Sequence, residues 1–343
     1  MRLRGPVTPA PFFFREFEMR LNLAAALAAS TMMLASGPAM AEPVATDHHV
    51  HVHSPAILDF LPAYCGSLGR ISACPEVFTR PLTVDDLLAD MDAAGVRRAF
   101  LMSTAYLAES PMMVPARSDA PDLIRAANDF TVDLARSHPD RLSAFVSVNP
   151  LTPTALPEIA RWADDPFAAG VKLHLTNSDL DLRDPDDVAA LARVFRAAAA
   201  GEMTIMIHMR TRAEDYGAKD VGIFLDQVLP QAQGVPVMIA HSGGWGGLDD
   251  NTWAAMTAFA EALEEHPETS RSLSFDLAQV FDAETSEADQ RRLVALMRRI
   301  GIDRFVAGSD WPFSWPLNAY LNDVFARLPL TAAEAERIRS ARL

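Results

Sequence analysis

The 343-residue chain has only two cysteines and only two lysines, Lys172 and Lys219. Two thiols exclude a multi-disulfide scaffold and a four-thiolate zinc site. Positive charge is scarce as well. Lys+Arg is 30 against Asp+Glu 45, a formal net charge of −15, and such a field repels polyanions, so nucleic acid is not an expected partner. No Gly-x-Gly-x-x-Gly follows the first strand-like segment, which removes the usual case for a dinucleotide-binding open sheet. What is plentiful is apolar: half the residues are hydrophobic and 22% are charged, enough for a sizeable core.

Residues 1–18 hold Pro6, Pro9, Pro11 and a Phe12-Phe13-Phe14 run with no usable period. Met19-Arg20 opens an Ala/Leu-rich stretch, Gly37-Pro38 ends it, and Ala39-Met40-Ala41 has the small-x-small form of a signal-peptidase site. The expectation is a mis-assigned extension over 1–18, a signal peptide over 19–41 and a mature domain over 42–343, periplasmic or secreted. Asn22 interrupts the weakly apolar run, which argues against stable membrane insertion. An oxidising compartment would let Cys65 and Cys74, nine positions apart, pair and staple a loop; two free thiols are the alternative.

From residue 44 one unit repeats. Short β-rich apolar runs near 45–51, 97–103, 142–148, 170–175, 203–208, 235–241, 272–277 and 303–309 alternate with helical periods. Helices are expected near 83–94, 121–137, 154–164, 185–200, 218–229, 251–265, 286–300 and 317–327. Thr83 and Asp184-Pro185 supply helix starts, and Thr331 with Glu334 has a capping-box pattern. Eight β-α units in about 300 residues match a single-domain (β/α)8 TIM barrel. A doubly wound open sheet is the competitor. The long connections Ser54–Leu82 and Thr104–Ala120 follow strands 1 and 2, so they belong over the C-terminal mouth.

The nine histidines carry most of the chemistry. Strand 1 runs Asp47-His48-His49-Val50-His51-Val52-His53, and period-2 alternation puts His49, His51 and His53 on one face and His48 on the other. His208 closes strand 5, His241 follows strand 6 and Asp310 follows strand 8. Barrel strands converge at their C-terminal ends, so these groups meet at one mouth. Unpaired polar groups buried there cost several kcal/mol, about 2–7 each, unless something such as a metal compensates them.

The pattern Asp47-x-His49-x-His51, His208, Ile239-Ala240-His241-Ser242-Gly243-Gly244 and Gly308-Ser309-Asp310-Trp311 resembles the amidohydrolase superfamily, in its amidohydrolase-related branch with a mononuclear site. The resemblance implies that His49, His51, His208 and Asp310 hold one metal, and that His241 acts on the metal-bound water or the substrate. His51-x-His53 has the same spacing, but Asp47 two residues before His49 favours the first register.

Three imidazoles and a carboxylate suit zinc, with manganese, iron or cobalt as alternatives. The expected reaction is metal-dependent hydrolysis of an amide, ester or lactone carbonyl, with Asp310 or His241 moving the proton. Alternatives are metal-dependent decarboxylation of an unsaturated or aromatic acid, a metal-free lactonase, and a binding protein on the same scaffold. Lys172 is open to three readings: a contact to a substrate carboxylate, a carboxylated metal bridge, or a structural ion-pair partner. His174, Arg210, Trp245 and Trp311 are the other candidate substrate contacts, with Arg212, Phe313, Trp315, Met112 and Met113 nearby in the loops. Asp276 closes strand 7 as a cap or as a contact to substrate or to a ligand. The expected partner is a small molecule, with a carboxylate as the candidate class; a homo-oligomer is compatible with a barrel, though no sequence patch specifies one.

Overall fold

Strands whose side chains are apolar on both faces need cover on both, and this chain supplies it with an inner cluster and an outer ring of helices. The computed structural model describes residues 43–69, 73–267, 272–314 and 316–342. The expected leader, like Trp315, lies outside the described residues. Eight strands, β1 (Thr46–Val50), β2 (Arg98–Met102), β3 (Leu142–Ser147), β4 (Ala168–His174), β5 (Thr204–His208), β6 (Val237–Ile239), β7 (Leu273–Asp276) and β8 (Phe305–Val306), follow one another in sheet order. Every neighbouring pair is parallel. The ring closes from β8 onto β1 by His48 N–H to Ala307 O (3.0 Å), Asp310 N–H to His49 O (2.8 Å) and His51 N–H to Trp311 O (2.7 Å). This is a (β/α)8 TIM barrel.

Alternation divides the side chains. Phe100, Met102, Phe145, Met206, Met238 and Val306 fill the barrel interior. Their neighbours Leu101, Val146, Leu173, Ile207 and Ile239 face outward and pack with helix residues such as Leu191, Phe195 and Phe259. The helices start where the sequence punctuates them. Thr83 caps Val84–Ala94 in a reciprocal capping box with Asp86, Asp184 caps Pro185–Ala200, and Thr331 with Glu334 caps Ala332–Ser340. Among the described residues no helix is long and apolar enough to cross a membrane.

The two long connections are more ordered than their loop-like composition suggests. Ser54 accepts a hydrogen bond from Ile57 N–H and starts a helix over Pro55–Cys65, with proline at its first position. Ile57, Phe60, Leu61 and Tyr64 then pack against Tyr106, Leu107, Met112, Met113 and Ile124 in a second apolar cluster, separate from the barrel core. Ser67 fastens the two segments, its Oγ donating to Met112 O (2.8 Å) and accepting from Val114 N–H (2.6 Å). Cys65 and Cys74 are disulfide-bonded at the end of that helix.

Closing so short a loop removes unfolded-chain entropy worth about 2–3 kcal/mol. The double variant Cys65→Ser/Cys74→Ser is therefore expected to melt at a lower temperature than the parent, read by circular dichroism. An unchanged midpoint would show that this segment lies outside the cooperative unit.

Candidate active site

The site sits where β1, β8 and β7 meet. Asp47, inside β1, is fully buried, and its Oδ1 accepts from His49 N–H (3.1 Å) and Ser309 N–H (2.9 Å), pinning the first strand to the loop after β8. Burial pushes this carboxyl up to about 7, against the hydrogen bonds from Ser309 and the His49 backbone that favour its ionised form. The β1–β2 ladder slips register between Asp47 and Val50. Strict alternation fails there as a result. His48, expected on the opposite face, instead packs edge-on against the interior Phe100 at 4.9 Å and bonds Ala307 O through Nδ1.

His49 and His51 turn their rings to one point. Nδ1 of His51 lies 3.0 Å from the carbonyl of Met102, and Nδ1 of His49 lies 2.9 Å from Oδ2 of Asp276. Both partners only accept, so each ring carries its hydrogen on Nδ1 and presents a bare Nε2. Those two Nε2 atoms are 3.1 Å apart, and Asp310 Oδ1 stands 3.4 Å from the first and 3.2 Å from the second. Three acceptors without a hydrogen between them repel one another unless a cation joins them. His49, His51 and Asp310 accordingly form a group able to hold a metal ion. The residues fit the ion that the sequence implies.

Lys172 supplies positive charge beside them. It is fully buried on β4, with Nζ donating to His49 Nε2 (3.0 Å) and to Met206 Sδ (3.3 Å). Burial lowers its ammonium to about 8, while Asp276 and Asp310 favour the charged form. Burial, followed by the charge of Lys172, also holds His49 well below the usual histidine range.

His241 closes the far side. Its Nδ1 lies 2.7 Å from the carbonyl of Ala278, so its hydrogen is there and its Nε2 is free to take a proton. His241, Ser242 and Asp310 all have left-handed backbones, at φ 52°, 50° and 61°. Non-glycine residues seldom adopt that region, and such departures cluster at functional sites. His208 stacks on His174 with centroids 4.0 Å apart and lies 5.0 Å from the His241 ring. Its Nδ1 is buried with no partner, but it is not one of the three atoms that converge. His174 accepts Asn177 N–H on Nδ1 (3.3 Å), which leaves Nε2 as its donor.

Three residues expected at or beside the substrate have other partners. Arg210 pairs with Asp249 (3.4 Å) and lies over the Tyr216 ring, so its guanidinium is already committed. Arg212 likewise pairs with Asp179 at 3.1 Å. Trp311 is buried and donates Nε1–H to Asp90 Oδ2 (3.1 Å), facing the helix Val84–Ala94 instead of the mouth. By contrast Trp245, 46% exposed, stands edge-on to His208 at 5.0 Å and His174 at 5.8 Å. Met112 and Met113 belong to the loop cluster. Phe313 lies near Phe78, which contacts His53. His53 itself bonds Thr104 Oγ1 (2.9 Å) and stays outside the three-atom group.

Tyr106 carried no sequence signal, and Gly308 stood in the sequence motif without a role of its own. Tyr106, buried in a 3₁₀ turn after β2, lies 5.1 Å from the His174 ring and close enough to Asp310 to feel its charge. Gly308 stands between β1 and β7. A Cβ there would meet those of His49, Ala278 and Asp276 at 3.2, 3.3 and 3.3 Å, so only glycine leaves the contact undisturbed.

A family model described as amidohydrolase matches residues 46–340. No curated protein sequence matches the chain. Among solved structures, 5-carboxyvanillate decarboxylase from Sphingomonas paucimobilis aligns at TM-score 0.63 and 16% identity, over 87% of this chain and 96% of its own. The 2,6-dihydroxybenzoate decarboxylase from Rhizobium aligns at 0.52 and 18%, over 87% and 96%. The 5-carboxyvanillate decarboxylase of Novosphingobium aromaticivorans, complexed with manganese and 4-hydroxy-3-methoxy-5-nitrobenzoic acid, aligns at 0.57 and 16%, over 87% and 94%. With its family model spanning nearly all of the described barrel, this chain belongs to the amidohydrolase family.

Proposed function

We propose that this chain is an exported, metal-dependent decarboxylase of an aromatic or unsaturated carboxylic acid. The observation that carries the reading is the convergence of His49 Nε2, His51 Nε2 and Asp310 Oδ1 beside the buried ammonium of Lys172. The aromatic rim of Tyr106, His174, His208 and Trp245 supports a flat, unsaturated substrate. Solved relatives that act on aromatic carboxylates favour decarboxylation over hydrolysis of an amide, ester or lactone. Hydrolysis of an amide, ester or lactone is the competing outcome of the test below.

The ion is a first-row divalent cation held by His49, His51 and Asp310, with His208 assigned as the further ligand by the family pattern. Zinc suits the donors, and manganese is the ion in the Novosphingobium structure. When bound, it supplies positive charge that holds and polarises an anionic oxygen of the substrate. Lys172 pairs with the acid's carboxylate, and the rings of His174 and Trp245 hold its flat body. The bond from the ring or alkene carbon to the carboxylate breaks, its electron pair staying on that carbon. A proton from Nε2 of His241 takes the place of the departing carbon dioxide, and solvent restores it. The disulfide and the leader composition support export to an oxidising compartment.

Purified protein is expected to carry one divalent ion per chain by elemental analysis. His51→Ala and Asp310→Ala should each lose ion and turnover together, and a metal-free variant with full activity would sink the assignment. With 5-carboxyvanillate or 2,6-dihydroxybenzoate in heavy water, the expected products are carbon dioxide and a ring deuterated at the vacated carbon. Inactivity toward both acids, with turnover of a lactone, ester or amide that places 18O from labelled water in the product acid, would make the enzyme a hydrolase instead. N-terminal sequencing of the recovered protein should begin at Glu42; retention of Leu21–Met40 would refute cleavage after Ala41.

A further inference from the structure

We infer that Asp276 is a positioning residue that sets the tautomer of His49 and the backbone of the His241 turn at once. The inference rests on the proposed metal centre. Asp276 is fully buried at the end of β7. Its Oδ2 receives His49 Nδ1–H at 2.9 Å, and its Oδ1 receives His241 N–H at 2.7 Å and Ala278 N–H at 3.1 Å. Its own carbonyl accepts from Ser242 Oγ at 2.8 Å. One residue thus ties the first strand to the left-handed turn that carries His241.

The alternative is that Asp276 ligates an ion directly, since His49, His241 and Asp276 also lie close enough together to form such a group. The hydrogen bonds argue against it. Both carboxylate oxygens already accept from donors that are themselves fixed by the fold, whereas Nε2 of His49, Nε2 of His51 and Oδ1 of Asp310 face one another with no hydrogen among the three, Lys172 Nζ donating to the first from β4. A carboxylate behind a ligating imidazole fixes its orientation and increases its basicity. Reaching across from β7 to β1 requires passing β8, and Gly308 provides the gap. Lys172 Nζ, donating to Nε2 of the same ring, agrees with a hydrogen held on Nδ1.

Asp276→Asn isolates the effect. The amide keeps an oxygen for the two backbone N–H groups but turns its NH2 toward His49 Nδ1. The imidazole must then accept there and carry its hydrogen on Nε2, where a metal cannot bind, a tautomer error of the kind known from the serine-protease triad. The test reads three quantities on the full mature chain: thermal midpoint, affinity for Zn2+ and Mn2+ by chelator competition, and the His49 tautomer by long-range 1H–15N spectra, assigned with His49→Ala.

The expected result is Nδ1–H in the metal-free parent, Nε2–H in the variant, and affinity lower by about 10–100-fold with the fold retained. Parent protein with its hydrogen on Nε2, or a variant that binds metal as tightly as the parent, overturns the inference. Failure of the parent to bind either ion would instead overturn the metal centre, while the tautomer spectra still decide the role of Asp276. Should the variant not fold, the parent spectrum alone retains that power.

Discussion

Three hydrogen-free acceptor atoms, two imidazole nitrogens and a carboxylate oxygen, are packed within 3.4 Å of one another in a buried pocket. Most of the local structure exists to hold this repulsive arrangement. Met102 O and Asp276 Oδ2 take the outward hydrogens of the two rings, Asp47 pins strand to loop, and the left-handed backbone at Asp310 aims its carboxylate back at the strand. A fold bears such a concentration of lone pairs only where positive charge compensates it, and Lys172 already contributes one charge.

Burial does the second part of the work. It favours the neutral form of the imidazoles, which is the form able to donate a lone pair, and holds His49, His174 and His208 well below the ordinary histidine range. The same burial lowers the Lys172 ammonium, and the carboxylates of Asp276 and Asp310 act against that loss. In a chain with a net charge of −15, positive charge at the mouth has to be local, and Arg210 and Arg212 are already spent on Asp249 and Asp179.

The architecture was legible because periodicity is a local property. An apolar run ending in a polar residue marked the C-terminal end of β5, alternating histidines marked β1, and capping residues marked helix starts at Thr83, Asp184 and Thr331. The helix over Pro55–Cys65 was legible only in part: Ser54-Pro55 is a good start signal, but the apolar face behind it has no partner until Tyr106 and Met112 arrive from the next connection. Tyr106 itself has no sequence signal. Its place near His174 depends on how that connection folds back over the barrel.

The side-chain directions at β1 show where local reading stops. Simple alternation separates His48 from His49, yet the slip between Asp47 and Val50 brings His48 to the barrel interior as well. Trp311 followed the motif in sequence but turned outward to Asp90, a residue 221 positions away. The chain alone determined a barrel of eight units and which strand ends bear nitrogen and oxygen donors, because hydrophobic period and residue type are written within a few positions. Only the tertiary structure decided ring tautomers, the reach of Asp276 past Gly308 to His49, and which arginines and tryptophans face the mouth. Those outcomes depend on hydrogen-bond partners brought together by barrel closure, hundreds of residues apart.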